Sequence, residues 1–174
     1  WNAMKHSDGC SVLAAIEELG FSTVELNFQI DQHKLAGIKE YLKQGTLKIS
    51  GVHNFCPTPD DVPINQALPD CYSIAAIHEG ERKRAVEYSK RSIVTAKELG
   101  GQYVVMHSGQ VEMESRTRAL IDLAKQGKRE SLEYERIVKT MVEERREFVK
   151  EHFDALATSY SELTKVAQEY DILL

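Results

Sequence analysis

Apolar and polar positions alternate along this chain in two rhythms that take turns. In SDGCSVLAAIEELG, Val12, Ile16 and Leu19 share one helical face, Ser7 or Asp8 can cap the start, and Gly20 ends the run. FSTVELNF follows, short, β-branched and aromatic, which predicts a strand. DQHKLAGIKEYLKQG returns to the helical period, with Asp31 as cap, Leu35, Ile38 and Leu42 on one face and Gly45 as stop. LKISGVHN is the second strand. Residues 55–77 hold all four prolines and predict a loop running over the surface. A helix through EGERKRAVEYSKRSIVTAKELGG buries Val86, Ile93, Ala96 and Leu99 and stops at Gly100 and Gly101.

QYVVMHSG is the third strand. SRTRALIDLAKQG predicts a helix ending at Gly127, and a second helix starts near Ser131 and runs to about Gln168. Its last part sets Val149, Phe153, Leu156, Tyr160, Leu163, Ala167 and Tyr170 on an amphipathic stripe. The closing DILL starts another strand. The order α-β-α-β-α-β-α-α-β, with single crossovers, predicts a parallel sheet with helices packed outside it.

The strand endings carry the chemistry. Side chains alternate along a strand, so Glu25 and Asn27 share one face, and Val24, Leu26 and Phe28 the other. Ile49, Gly51 and His53 share a face, as do Tyr103, Val105 and His107. Two otherwise buriable faces thus end in a histidine at the C-terminal end of a strand, where parallel α/β folds build their sites. His53, His107 and Glu25 form the expected site. Asn54, Ser108 and Gln110, beside the two histidines, are the expected donors and acceptors to substrate hydroxyls or phosphate. Cys56 is a lone loop thiol, His6, His33, His78 and His152 are expected at the surface, and Tyr103 and Tyr160 are expected to be packing residues. Gly100 and Gly101 are a helix stop, since no phosphate-loop pattern follows.

Composition narrows the partners. The 174 residues are 42% hydrophobic and 28% charged, which suits one globular domain spanning 1–174. The net charge is −5 and no basic cluster is free of acids, so nucleic acid is not an expected partner. No apolar run is long enough for a bilayer, so no membrane is expected. Three distant cysteines without a CxxC pair fit a reducing cytoplasm.

ELGFSTVELNF, ISGVHNFCPTP, ERKRAVEYSKRSIVTAKELGGQYVVMHSGQVE and EYDILL, in this order, resemble the xylose-isomerase-like TIM-barrel superfamily of sugar isomerases and epimerases, whose barrel the type-IV apurinic endonucleases share. The resemblance implies a (β/α)8 barrel of which this chain is the N-terminal part. WNA would be the tail of a first strand, DILL the start of a fifth, and residues 115–147 a helical insertion after the fourth. It implies a metal-dependent sugar or sugar-phosphate isomerase or epimerase, with a divalent metal (Mn, Mg or Zn) held chiefly by acidic residues beyond Leu174. His53 and His107 would touch substrate oxygens or the metal's edge, with Glu25 and Asn54 orienting them. This chain alone is expected to hold no metal tightly and to be inactive. The alternatives are a zinc phosphodiesterase of the apurinic endonuclease type, whose zinc-binding histidines His53 and His107 match, and a non-catalytic scaffold completed by a partner, a homo-oligomer included.

Overall fold

A computed structural model describes residues 3–174; the expected first-strand tail at Trp1 and Asn2 lies outside the described residues, and Ala3–Lys5 forms a 3-10 turn. The elements then run α1 (Gly9–Glu18), β1 (Thr23–Leu26), α2 (Gln32–Leu42), β2 (Lys48–His53), a 3-10 turn (Ile64–Gln66), α3 (Glu79–Glu98), β3 (Tyr103–Val105), α4 (Thr117–Lys125) and α5 (Leu132–Tyr170). The caps follow the local chemistry: Asp8, Asp31 and Ser131 each accept a backbone N–H of the first turn.

The strands form one parallel sheet in the order β1-β2-β3. Leu173 adds a parallel bridge to Tyr103, so DILL does begin strand pairing beyond β3. Val24 pairs with Ile49, yet Glu25 pairs with Gly51, leaving Ser50 as an extra residue in β2. This bulge corrects the expected alternation. Ile49 stays with Val24, Leu26, Val52 and Val104 in the core, whereas Gly51 and His53 turn to the opposite face. Gly51 is required there: a Cβ at that position would lie 2.5 Å from the Tyr103 ring.

The core joins these strand residues to Leu13, Leu35, Ile38, Ile93, Ala96 and Leu163 of the helices. α3 packs on β2, β3 and α5, and α1 packs on α2. Two helical faces differ from expectation. In α1 the buried residues are Val12 and Leu13, while Leu19 is 75% exposed past the last turn. In α5 the buried stripe runs through His152, Ser159, Leu163 and Ala167, and Phe153 is 64% exposed. One residue of helical phase thus exchanges the expected surface histidine for the expected core phenylalanine. α5 is continuous through the segment read as an insertion. No helix among the described residues is long and apolar enough to cross a membrane.

The 55–77 connection is not a surface loop throughout. Phe55, Cys56, Thr58, Ala67 and residues 74–76 are buried. Tyr72 stacks on Tyr88 of α3 with ring centroids 5.8 Å apart, and Asp61 accepts the hydroxyls of Tyr72 at 2.8 Å and Tyr88 at 3.0 Å. Arg84 lies over the Tyr72 ring and Arg91 over the Tyr88 ring. This connection is latched to α3 by aromatic stacking and one shared carboxylate.

Candidate functional site

His53 ends β2, and its Nδ1 lies 3.0 Å from Glu25 Oε1 on the neighbouring strand. An ionised carboxylate only accepts, so Nδ1 carries a ring proton and donates it to Glu25. The second oxygen of Glu25 accepts the Tyr103 hydroxyl at 2.9 Å. Ser50, the bulged residue, donates to Val24 O and lies 3.2 Å from the same hydroxyl. Three strands therefore meet in one polar chain, and Glu25 is held at both oxygens. Tyr103, expected only to pack, is what fixes Glu25; its phase with His107 along β3 was the available signal.

His107 lies just beyond β3, and its ring centroid is 5.5 Å from that of His53, with the planes tilted by 58°. The two strand-end histidines thus converge. The His107 Nδ1 stands 3.4 Å from Asp70, which the β2–α3 connection delivers and which sequence reasoning did not find. Both groups of this pair are well exposed, so water screens it more than the His53–Glu25 pair. Phe28 lies beside His53 at 6.2 Å between centroids, on the site side, not in the core with Val24 and Leu26.

The remaining expected residues divide. Ser108 Oγ is 3.2 Å from Tyr160 OH, so Tyr160 is tied to the loop after β3. Ser108 and Gln110 line one groove with Arg145, Val149, His152 and Phe153. Asn54 does not join the site through its side chain. It is 1% exposed, donates to Ser89 at 2.9 Å and accepts from Ser92 at 2.8 Å, both on α3. Strand alternation turns it away from His53. Cys56 is likewise buried, and burial alone pushes its thiol up to about 12.

The chemistry of the donors can be tested against a divalent metal. Two imidazoles, each with a carboxylate behind Nδ1, have the supporting shell that metal-binding histidines use. A catalytic zinc site takes three protein ligands, and among the described residues no group of three or more His, Cys, Asp or Glu side chains could hold a metal ion. His53 and His107 supply two imidazole donors, one short of such a set among the described residues. Beside them, a cleft of about 240 Å³ runs along β1 between Ala3, Val12, Ile16, Val24 and Ile30, with Glu25 and His53 on its wall.

Comparison with known proteins places the fold. Curated proteins give no match. Among solved structures, a D-tagatose 3-epimerase-like protein superposes with a TM-score of 0.59 at 20% identity, over 96% of this chain and 48% of its own. The present chain thus spans about half the length of that relative. The sequence profile described as xylose isomerase-like TIM barrel matches residues 13–173. The chain belongs to the xylose isomerase-like TIM barrel family.

Proposed function

We propose that this chain carries part of the site of a sugar isomerase or epimerase, with His53 and His107 presenting Nε2 to substrate oxygens or to the edge of a divalent metal. The observation that carries this is the convergence of two strand-end imidazoles, 5.5 Å between centroids, each backed by a carboxylate. Family membership and an epimerase-like structural relative agree with it. Isomerases of this kind remove a proton beside a carbonyl and return it elsewhere, and a divalent ion would supply polarisation of the oxygens at that centre.

Within this chain, Glu25 orients His53 through one oxygen and is held by Tyr103 through the other. His53 and His107 bind and align; the cleft beside β1 and the groove with Ser108 and Gln110 flank the place where a sugar or sugar phosphate lies. No group of three or more metal-ligating side chains forms among the described residues, so the 174 residues alone turn over no sugar in this reading. The zinc phosphodiesterase reading uses the same two histidines, but the net charge of −5 disfavours a phosphate-backbone partner.

The test is a titration of the purified chain with Mn, Mg or Zn and a panel of ketoses and aldoses, D-tagatose included. Weak metal binding, lost in His53→Ala and His107→Ala, with no sugar interconversion, is expected. Binding unchanged in both variants sinks the site. Robust turnover shows that the proton-moving groups lie within this chain.

A further inference from the structure

His152 is 3% exposed on α5, and both of its ring nitrogens are in use. Nδ1 lies 2.8 Å from Ala75 O, and the Glu112 N–H donates to Nε2 at 3.0 Å. A carbonyl only accepts and an amide N–H only donates, so the ring is neutral, with its proton on Nδ1. Two turns on, along the same helix face, Ser159 donates to Ile74 O at 2.7 Å. α5 therefore grips two neighbouring carbonyls of the β2–α3 connection and one amide of the β3–α4 connection. The first connection carries Asp70; the second carries Ser108 and Gln110 directly after His107. The two are also packed on each other: Gly109, at φ 80°, fits against Ser73 and Ala75, and a Cβ there would lie 2.8 Å from that of Ala75.

We propose that His152 is a positioning residue for the ligand site, locking the β3–α4 connection while its ring is neutral and releasing it when the ring is protonated. A second proton would turn Nε2 into a donor facing the Glu112 N–H. The charge that shares the ring's groove, Arg145 of α5, has the same sign as a protonated ring. Carboxylates of the neighbouring elements are engaged elsewhere, Glu81 of α3 by the Ser73 N–H and Glu144 of α5 by Arg116. Glu112 presents its backbone N–H to the ring, and no ion pair with His152 occurs among the described residues. A protonated, buried ring therefore has no carboxylate partner to offset its charge. The inference rests on the reading that His107 and Ser108 belong to the ligand site.

Amide exchange on the 174-residue chain, followed residue by residue as the pH is lowered from neutral, tests it. Amides inside α3 report global opening. In the native sequence, protection of the Glu112 amide should fall about ten-fold on acidification, one hydrogen bond's worth, while α3 holds. His152→Gln, whose amide can donate to Ala75 O and accept from Glu112 N–H, should keep protection and lose the pH step. His152→Ala should lack protection at every pH. A pH-independent Glu112 amide in the native chain overturns the proposal, as does a Gln variant as exposed as the Ala variant. Broadening of the His53 and His107 ring signals by Mn ions is read in parallel. It should weaken with the same pH step, and its absence at neutral pH with the exchange pattern intact sinks the ligand site and leaves the clamp.

Discussion

Neighbouring residues at the end of β2 do opposite work. His53 faces the site and Asn54 faces α3, where Ser89 and Ser92 take up its amide. Removing the buried amide loses both of these bonds, although Ser89 keeps Ala85 O and Ser92 keeps Tyr88 O and the Cys56 N–H, at a cost of about 2 kcal/mol. Asn54→Ala should therefore lower the midpoint of urea unfolding clearly, while His53→Ala leaves it nearly unchanged and removes ligand binding. Unfolding curves and metal titrations of the two variants check this, and the reverse ranking would undo the assignment of both residues. Alternation along the strand could have separated the two, yet Asn54 was expected in the site beside His53. What it could not give was Tyr103 reaching Glu25 across β2, because that contact depends on Gly51 having no side chain beneath the ring. Nor could it place Asp70 beside His107, since the path of a 20-odd-residue connection is set by packing and not by any local period.

Among the elements, the β2–α3 connection is the one most dependent on charge. Hydrogen bonding from Tyr72, then from Tyr88, and the nearby Arg84 hold the Asp61 carboxyl below its usual value. A depressed carboxylate contributes stability above its unfolded value and loses it as pH falls through the folded one. The latch should thus be intact at neutral pH and weaken on acidification below the ordinary carboxylate range. Because Asp61 is well exposed, water screens much of the effect. Proteolysis or amide exchange across residues 59–73 should show a step at acid pH that Asp61→Asn lacks, that variant being loose throughout. A connection equally protected in both would show that the stacked tyrosines alone suffice. The helices and strands themselves were legible from periodicity, with Asp31 capping α2 as expected, Asp8 rather than Ser7 capping α1, and α5 starting at Ser131. Two failures share one cause: the Ser50 bulge and the burial of His152 in place of Phe153 are each a one-residue change of phase, the second local to mid-α5, since Leu163 and Ala167 are buried as expected, and amphipathic patterns fix phase only as sharply as the chemistry of their edges. A histidine beside a phenylalanine gave no edge to choose by, since the hydrogen-bonding groups that bury His152 come from loops 40 and 77 residues away.

For the whole molecule, the sheet order leaves one side of β1 without a strand partner among the described residues, and β3 has only the bridge to Leu173 on its far side. Unpaired edges of parallel strands are templates for further pairing. The exposed Phe21, Leu173 and Leu19 lie close in sequence to these edges. The chain should therefore associate as its concentration rises, seen as a growing weight-average mass in sedimentation equilibrium; a constant monomer mass across a hundred-fold range would show the edges to be silent. The family was legible because strand-end motifs such as VHNFCP and VVMHSG survive in order along the chain, whereas the substrate is set by loops whose residues follow no period.

α5 has 39 residues and so measures about 58 Å, without an interruption between the α4 hairpin at one end and the bridge to β3 at the other. Such a rod couples rotation to length. One residue inserted between Val142 and Phe148 would swing everything N-terminal to it by about 100° about the rod's axis, while His152 and Ser159 kept their grip on the loops. The α4 hairpin can thus be re-aimed in steps by chain length alone, like the pointer of a dial, with the site at the hub left still.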